Sequence, residues 1–336
     1  MRVVDVFCGI GGFSCGAMSM ECSVEGGIDN ENRVLRAWAA NTAGQATCAT
    51  VGKEDISWPE AAPDLHVHFS PPCTAISKAR CSAPQSEVDD GLDMIRLCLD
   101  VVVDQGYANW SLENVSTVAT RALLDEHQRR HPDEIAHATL DAADYGAPQT
   151  RARLIASTPK TIKFLKEQPV HRVSVAHAFA ASDITLPATH IKSTTNNRDG
   201  TPCVRSVHQA AFCVTASHPL TWCKHDGTTV RTLTAAESAA LQGFPKSWLL
   251  PPGSRAGIRA AGNAIPPPFA AAIVRAALHA AGLDTPHTCR GLSWASESAA
   301  LTVATCKRKR SPVKGMKALK RRVSILEALV CSMQRV

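Results

Sequence analysis

The strongest constraint on this chain is the alternation of short β-branched strands with helical stretches along its first half. Residues 31–41, for example, predict a helix with Val34, Leu35 and Trp38 on one face. The predicted strands are residues 3–7, 23–28, 66–69, 110–112, 139–142 and 154–157, and the other predicted helices are 14–19, 91–105 and 117–130. Such alternation favours an α/β fold, a doubly wound, mostly parallel sheet with helices on both faces.

Residues capable of binding or catalysis follow these strands, at the points where the strands end. They are the glycine turn at residues 8–16, Asp29, Asp55, Cys73 and Glu113. In doubly wound sheets the ligand lies at the carboxyl ends of the strands. The sequence therefore predicts that these residues share one site.

Cys73 closes the segment Ser70-Pro71-Pro72-Cys73, in which two prolines stop a buried strand. Residues 74–90 are polar and lack periodicity, which predicts a mobile loop. A cysteine held between a strand and such a loop suits a nucleophile. This stretch alone also fits a buried structural cysteine.

The glycine turn predicts close approach of the backbone to a ligand at the start of a helix. Its spacing is not the dinucleotide pattern G-x-G-x-x-G, because counting from Gly9 places Ser14 where the third glycine would stand. The spacing therefore disfavours a nicotinamide dehydrogenase.

The alternation breaks down after residue 157. Residues 158–230 are rich in Thr, Ser, His and Pro and predict a small irregular lobe. Thr234 and Glu237 form a capping-box pattern for a helix through Leu241, and residues 269–281 predict an alanine-rich helix. We expect a catalytic domain of residues 1–157 plus 231–285, a recognition region of 158–230 and a basic tail of 286–336.

Composition restricts the class of protein. The 13 cysteines include no C-x-x-C pair and no metal-ligand spacing, so we expect reduced thiols and no metal. The sequence shows no signal peptide and no apolar run long enough to span a membrane, so we expect an intracellular protein. Nine Lys or Arg and no acid lie within residues 307–322, so removing these nine from the net charge of +6 leaves −3 for the rest. The tail predicts a nucleic-acid contact or, through Lys307-Arg308-Lys309-Arg310, a nuclear address; a disordered solubilising end is the alternative.

Six motifs in order resemble the cytosine carbon-5 methyltransferase family. They span most of residues 3–281 and are residues 5–12, 72–73, 113–115, 149–153, 231–245 and 262–267. The resemblance implies a methyltransferase that uses S-adenosylmethionine and acts on double-stranded DNA, with the target base flipped out of the helix.

The resemblance also implies the catalytic residues. Cys73 is the covalent nucleophile at carbon 6 of cytosine, and we expect positive charge nearby to lower its pKa. Glu113 is the carboxyl at N3, Arg153 the guanidinium at O2, and Arg151 a support of the same site.

The implied cofactor site includes Asp29 at the ribose hydroxyls, Asp55 and Ile56 at the adenine edge, and Asn263 closing the pocket. The remaining implied cofactor contacts are Phe7, Gly9, Ile10, Gly11, Gly12 and Pro72. Two positions depart from the family pattern: Thr74 replaces the usual Gln, and Asn30 replaces an aromatic residue that stacks on adenine.

Two other functions stay open at this point. One is a tRNA cytosine-5 methyltransferase, since that branch of the family is also small. The other is a catalytically silent DNA-binding member, which the intact Cys73 and Glu113 disfavour. We expect a monomer; the basic loop residues Lys192, Arg198, Arg205 and Lys224 are candidate phosphate contacts.

Overall fold

The structure is a computed structural model of the whole chain and describes residues 1–73, 75–76 and 83–283. The chain divides after Ser298, and every described residue lies in the first unit, Met1–Ser298. The predicted basic tail, its nuclear-address motif Lys307–Arg310 and a short helix expected at 323–330 lie outside the described residues, as does most of the predicted loop after Cys73.

A seven-stranded sheet forms the centre of the first unit. Its strands are β1 (Arg2–Val6), β2 (Ser23–Asp29), β3 (Gln45–Cys48), β4 (Leu65–Phe69), β5 (Asn109–Asn114), β6 (Ala136–Asp141) and β7 (Ala152–Ser157). Their order across the sheet is β3-β2-β1-β4-β5-β7-β6, and β7 runs antiparallel to the other six strands. The predicted mostly parallel α/β fold is confirmed.

Helices cover both faces of this sheet. In chain order the helices are α1 (Gly12–Ser19), α2 (Asn32–Asn41), α3 (Gln85–Gln105), α4 (Val118–Arg130), α5 (Pro159–Glu167), α6 (Val175–Ala181), α7 (Ala235–Gln242), α8 (Ser254–Asn263) and α9 (Pro267–Ala280). Of these, α6 packs in a separate apolar core and not on this sheet. One apolar cluster packs α1 and α9 on one face of the sheet, and another packs α3 and α4 on the other. All residues of β4 and β5 are buried, as expected for central strands covered on both faces.

The second lobe contains a four-stranded antiparallel sheet, so the predicted irregular lobe is wrong. Its strands are β8 (His190–Asn196), β9 (Pro202–Ser206), β10 (Thr221–Cys223) and β11 (Thr229–Thr232), in the order β11-β10-β8-β9. Trp222 and Phe179 anchor its separate apolar core. The lobe boundaries stay predictions, although α5 packs with the core of the large sheet through Ile162 and Leu165.

Several elements besides the second sheet differ from the sequence predictions, among them helices α5 and α6, which lie in residues 158–230 where no helix was expected. Strand β3 was not expected, because every residue of it is exposed and it carries no apolar alternation. Helix α3 begins at Gln85, so residues 85–90 are helical rather than part of a loop. Helix α8 was also not expected, although the capping box of Thr234 and Glu237 at the start of α7 is confirmed.

None of the helices in the described part of the chain has the length and apolar character that crossing a bilayer requires.

The packing of α1 against α9 depends on Gly16. A Cβ at this position would lie 2.6 Å from both the Cβ of Ala270 and the carbonyl oxygen of Pro267, which is closer than packed atoms approach. The absence of a side chain therefore lets the two helices meet backbone to backbone, which holds α9 against the end of the glycine turn.

We predict that Gly16→Ala lowers the free energy of unfolding by about 2 kcal/mol, because the added methyl forces α1 and α9 apart. Gly26→Ala is the matched control, since its Cβ would meet its nearest atom at 3.5 Å; its effect is expected to stay within about 1 kcal/mol. Urea denaturation of the two variants measures both values. Equal losses would show that the α1–α9 contact is not the limiting one.

Candidate active site

A cavity of about 500 Å³ opens at the carboxyl-terminal edge of the large sheet. The turns after β1 and β4, the ends of β2 and β5, and one side of α8 form its walls. Its volume lies within the range of small-molecule sites in proteins. The cavity therefore lies where the sequence predicted a shared site, at the carboxyl ends of the parallel strands.

The glycine turn forms one wall of the cavity through an unusual backbone. Phe7 has φ of 61° and Gly9 has φ of 54°, both in the left-handed region. Such a conformation is costly for phenylalanine and is found mainly where function requires it. It turns the chain sharply between β1 and α1, and both Phe7 and Gly9 line the cavity.

Asp29 is held at the end of β2 by backbone groups. One carboxylate oxygen accepts the N–H of Gly9 at 2.9 Å, and the other accepts the N–H of Glu31 at 2.8 Å. Burial raises the pKa of Asp29, and these two hydrogen bonds act in the opposite direction. The carboxylate thus ties the glycine turn to the end of β2 while it faces the cavity.

Asp5 is a second buried acid in the cavity wall. Its carboxylate accepts from the backbone N–H of Ser14 at 3.1 Å and from the Ser14 hydroxyl at 2.6 Å. The Trp38 indole N–H donates to the same hydroxyl at 2.8 Å. Burial raises the pKa of Asp5 to about 7, and these contacts join β1, α1 and α2 beneath the cavity floor.

Cys73 lies at one end of the cavity, half-buried, on the turn that follows β4. The amide of Asn114 donates to the carbonyl of Pro71 at 3.0 Å, which fixes this turn to the end of β5. The pKa of the Cys73 thiol is raised, first by burial and then by the charge of Glu113, although Arg153 and Arg151 act to lower it. The predicted positive charge is present, but the predicted net lowering of the pKa is wrong for the protein without its substrates.

Glu113 and Arg153 form an ion pair beside Cys73. Arg153 Nε lies 2.8 Å from Glu113 Oε1, and the side chains are 13% and 11% exposed. The contact is an ion pair rather than a well-aligned hydrogen bond. Glu113 is on β5 and Arg153 on the adjacent β7, so the sheet itself brings the two charges together.

Arg151 is buried behind the cavity rather than in its wall. Its guanidinium donates to the carbonyl of Val214 at 2.8 Å and to the carbonyl of Gly262 at 3.1 Å, and lies 3.6 Å from the Cys213 sulfur. Gly262 directly precedes Asn263, which lines the cavity. The position fits the predicted supporting role and not direct contact with a substrate.

Most of the predicted site residues line the cavity. They are Phe7, Gly9, Ile10, Gly12, Asp29, Pro72, Cys73, Glu113 and Asn263. Gly11, with φ of 85°, instead faces Trp38 and Trp248, and a Cβ there would lie 2.8 Å from the Trp38 ring.

Asp55 and Ile56 are not in the cavity wall. Asp55 was expected at the end of a strand, but the preceding strand, β3, ends at Cys48. Asp55 is exposed, and Ile56 packs at the edge of a core cluster. Thr50 and Val51 line the cavity from this segment instead. The placement of Asp55 at a strand end is therefore wrong.

Several charged cavity residues were not found from the sequence. They are Glu31, Arg33, Arg255 and Arg259. Arg259 on α8 pairs with Glu31 at 3.1 Å, and both residues line the cavity. Only the tertiary fold brings these elements together, so no local sequence signal marks the pair.

One proposed phosphate contact has a different role. The Arg205 guanidinium stacks over the Phe212 ring at 4.1 Å and donates to Thr150 Oγ1 at 3.0 Å and to the Ala211 carbonyl at 2.8 Å. These contacts use Arg205 to join the second lobe to the segment before β7. Lys192 donates to the Gly227 carbonyl at 3.0 Å, whereas Arg198 and Lys224 are exposed.

Within residues 1–73, 75–76 and 83–283, no group of three or more His, Cys, Asp or Glu side chains is placed to hold a metal ion.

Comparison with known proteins gives one family and one fold. A family model described as C-5 cytosine-specific DNA methylase matches residues 1–177 and 166–279. A comparison with curated protein sequences gives no match.

Three solved structures share the fold. One, from E. coli, is named as a candidate DNA modification methyltransferase encoded within prophage Cp; it has 17% identity and a TM-score of 0.59, and the match covers 83% of this chain and 98% of that one. The Entamoeba histolytica methyltransferase EhMeth has 14% identity and a TM-score of 0.55, with the same two coverages. S. pombe Dnmt2 methyltransferase has 15% identity and a TM-score of 0.51, again covering 83% and 98%.

We predict that Glu113→Gln speeds alkylation of Cys73 by iodoacetamide at pH 7.5 by about 3- to 10-fold, because it removes a negative charge that raises the thiol pKa and leaves Arg153 unpaired. In both proteins the rate should rise with pH as the thiolate forms. Peptide mass spectrometry separates Cys73 from the other thiols. Glu134→Gln, a remote exposed carboxyl, is the control; an unchanged or slower rate in Glu113→Gln would contradict the electrostatic argument.

Proposed function

The chain belongs to the C-5 cytosine-specific DNA methylase family, and we propose that it transfers a methyl group from S-adenosylmethionine to carbon 5 of cytosine in DNA. The observation that carries the proposal is the arrangement at one end of the cavity. There Cys73 and Glu113 line the wall, and Arg153 is ion-paired to Glu113. A nucleophile and a carboxyl in one cavity wall, with a guanidinium paired to that carboxyl, match the needs of addition to a cytosine ring.

The rest of the cavity fits the cofactor. Asp29 at the end of β2 lines the cavity, and in this proposal its carboxylate accepts the ribose hydroxyls, as acids at this point do in related sheets. The glycine turn brings backbone close to the ligand, and Pro72 and Asn263 face the same space. When bound, S-adenosylmethionine supplies an electrophilic methyl group on its sulfonium. The roles of Asp55 and Ile56 stay predictions, since neither lines the cavity.

Cys73 carries the covalent step in this proposal. Its thiolate adds to carbon 6 of cytosine, the S–C bond forms, and the electron pair of the 5,6 double bond makes carbon 5 nucleophilic. After methylation of carbon 5, loss of the proton on that carbon restores the double bond and expels the Cys73 thiolate. The described residues do not identify the base that takes this proton.

Glu113 and Arg153 stabilise the charge that this addition creates. In this proposal Glu113 donates a proton to N3 of the ring, and the Arg153 guanidinium donates a hydrogen bond to O2. In the structure each is the other's partner at 2.8 Å. A protonated Glu113 bonded to N3 carries no charge, so in this proposal it no longer raises the pKa of the Cys73 thiol once the ring is bound.

The target base in duplex DNA lies inside the stack, so reaching Cys73 requires base flipping. The second lobe, built on β8–β11, is the proposed recognition surface. Its attachment to the catalytic residues through Arg151 and Arg205 supports this assignment, because the lobe is then held at a fixed position relative to Cys73.

Methyl transfer from labelled S-adenosylmethionine to unmethylated genomic DNA and to a tRNA pool tests the proposal. We expect label in DNA, and a loss of at least about 10³-fold in Cys73→Ala. Cys22→Ala is the matched control, because Cys22 precedes β2 at the opposite end of the sheet; it should retain activity.

The other outcomes identify the alternatives. Label in tRNA alone would assign the activity to RNA. Label in neither, with no covalent adduct on DNA that contains 5-fluorocytosine, would identify a DNA-binding protein without catalysis.

A further inference from the structure

A chain of buried hydrogen bonds leads from the middle of the large sheet to the cavity. His66 Nε2 lies 2.8 Å from Ser111 Oγ, which lies 2.8 Å from His68 Nδ1. His68 Nε2 lies 2.8 Å from Ser70 Oγ. His66, His68 and Ser111 are fully buried, whereas Ser70 lines the cavity. The proposed methyl transfer does not use this series of hydrogen bonds.

His66 and His68, the two histidines in this series of hydrogen bonds, are neutral. Burial lowers the pKa of His66 to about 3 and that of His68 well below its ordinary value. The Phe13 ring stacks parallel on His68 with centroids 3.6 Å apart, which leaves no room for water on that face. A neutral imidazole has one N–H and one acceptor nitrogen, so each histidine has a definite tautomer.

The unpaired nitrogen of His66 determines the direction in which each hydrogen bond of this series donates. His66 Nδ1 is buried and has no hydrogen-bond partner. A proton on Nδ1 would leave a buried N–H without an acceptor, which is rare in proteins and costly. The proton therefore belongs on His66 Nε2, where it is donated to Ser111.

Each following bond is then fixed. The Ser111 oxygen accepts from His66, so its own proton goes to His68 Nδ1. His68 carries its proton on Nε2 and donates it to Ser70 Oγ. The Ser70 hydroxyl is satisfied as an acceptor, and its own O–H is left to point to the cavity as a donor.

We propose that His66, Ser111 and His68 orient the Ser70 hydroxyl as a hydrogen-bond donor to the amino-acid carboxylate of S-adenosylmethionine. This inference rests on the proposed function. It makes Ser70 a cofactor-binding residue, and His68 the residue that positions its hydroxyl.

The location and the chemistry of the cofactor support this acceptor. The Ser70 N–H bonds the Val6 carbonyl at 3.1 Å, so Ser70 lies beside the start of the glycine turn and three residues before Cys73. The amino-acid part of the cofactor adjoins the sulfonium, which the reaction requires near Cys73. The ammonium and sulfonium groups of that part are cations and accept no hydrogen bond, whereas its carboxylate is a strong acceptor.

The first test is the tautomer of His68 in the full chain labelled with ¹⁵N-histidine. At pH 5 exposed histidines are charged, so the buried neutral rings stand apart in long-range ¹H–¹⁵N spectra. The signal of His68 is assigned by its shift in Ser70→Ala. We expect a protonated Nε2 and an unprotonated Nδ1. A protonated Nδ1 would overturn the proposal, because Ser70 would then donate to His68 instead of to the cavity.

The second test is calorimetric binding of S-adenosylhomocysteine, which keeps the amino-acid carboxylate. Ser70→Ala is expected to bind about 5- to 10-fold more weakly, as for loss of one hydrogen bond. Ser70→Thr should retain more of the affinity because it keeps the hydroxyl. Ser116→Ala is the matched control, since it removes a hydroxyl that bonds Thr139 outside the cavity.

The possible results separate the two proposals. If the unaltered protein binds S-adenosylhomocysteine and Ser70→Ala binds equally well, the inference fails and the proposed function stands. If the unaltered protein shows no binding, both fail. A third result is that Ser70→Ala binds S-adenosylhomocysteine more weakly than the unaltered protein and binds descarboxy-S-adenosylhomocysteine more weakly by the same factor. In that case the carboxylate is not the acceptor and the inference is overturned.

Discussion

The buried guanidinium of Arg151 is the interaction on which the site depends. It joins three segments that are distant in sequence, by donating to the carbonyls of Val214 and Gly262 and lying against Cys213. Gln149 strengthens the same connection, because its side-chain oxygen accepts a hydrogen bond from the Val214 N–H at 2.8 Å. Burial lowers the pKa of Arg151, yet a guanidinium stays charged, so its removal would leave these carbonyls unsatisfied in the interior. Arg151 thus links both the second lobe and the end of α8 to the catalytic sheet, and Gln149 reinforces the link to the lobe.

The part of the site that could be predicted follows from the sheet. Asp29, Cys73 and Glu113 were expected together because each follows or ends a strand whose apolar pattern was visible in the sequence. Parallel strands bring such positions to one edge whatever the details of packing. The structure places all three in the same cavity wall. Local patterning and topology were sufficient for these residues, and the family resemblance added their chemical roles.

The part that could not be predicted depends on contacts between distant elements. Strand β3 is an exposed edge without apolar alternation, so Asp55 was assigned to a strand end that does not exist. Arg205 looks like a surface cation in the sequence, and only the fold places it over Phe212. The pKa of Cys73 is raised by burial and by Glu113 and lowered by two arginines, so the direction of its shift follows only from the three-dimensional arrangement.

The turn that carries Cys73 is held by three kinds of interaction, and their differences have a consequence. Asn114 holds the Pro71 carbonyl, the neutral chain through His68 holds Ser70, and charges surround the thiol. The first two involve no ionised group, so they keep the same geometry over the whole pH range in which the Cys73 thiol titrates. Titration of the thiol can therefore change the reactivity of the nucleophile without changing its position. Such separation is what a covalent catalyst needs, because addition to a ring depends steeply on the position of the attacking atom.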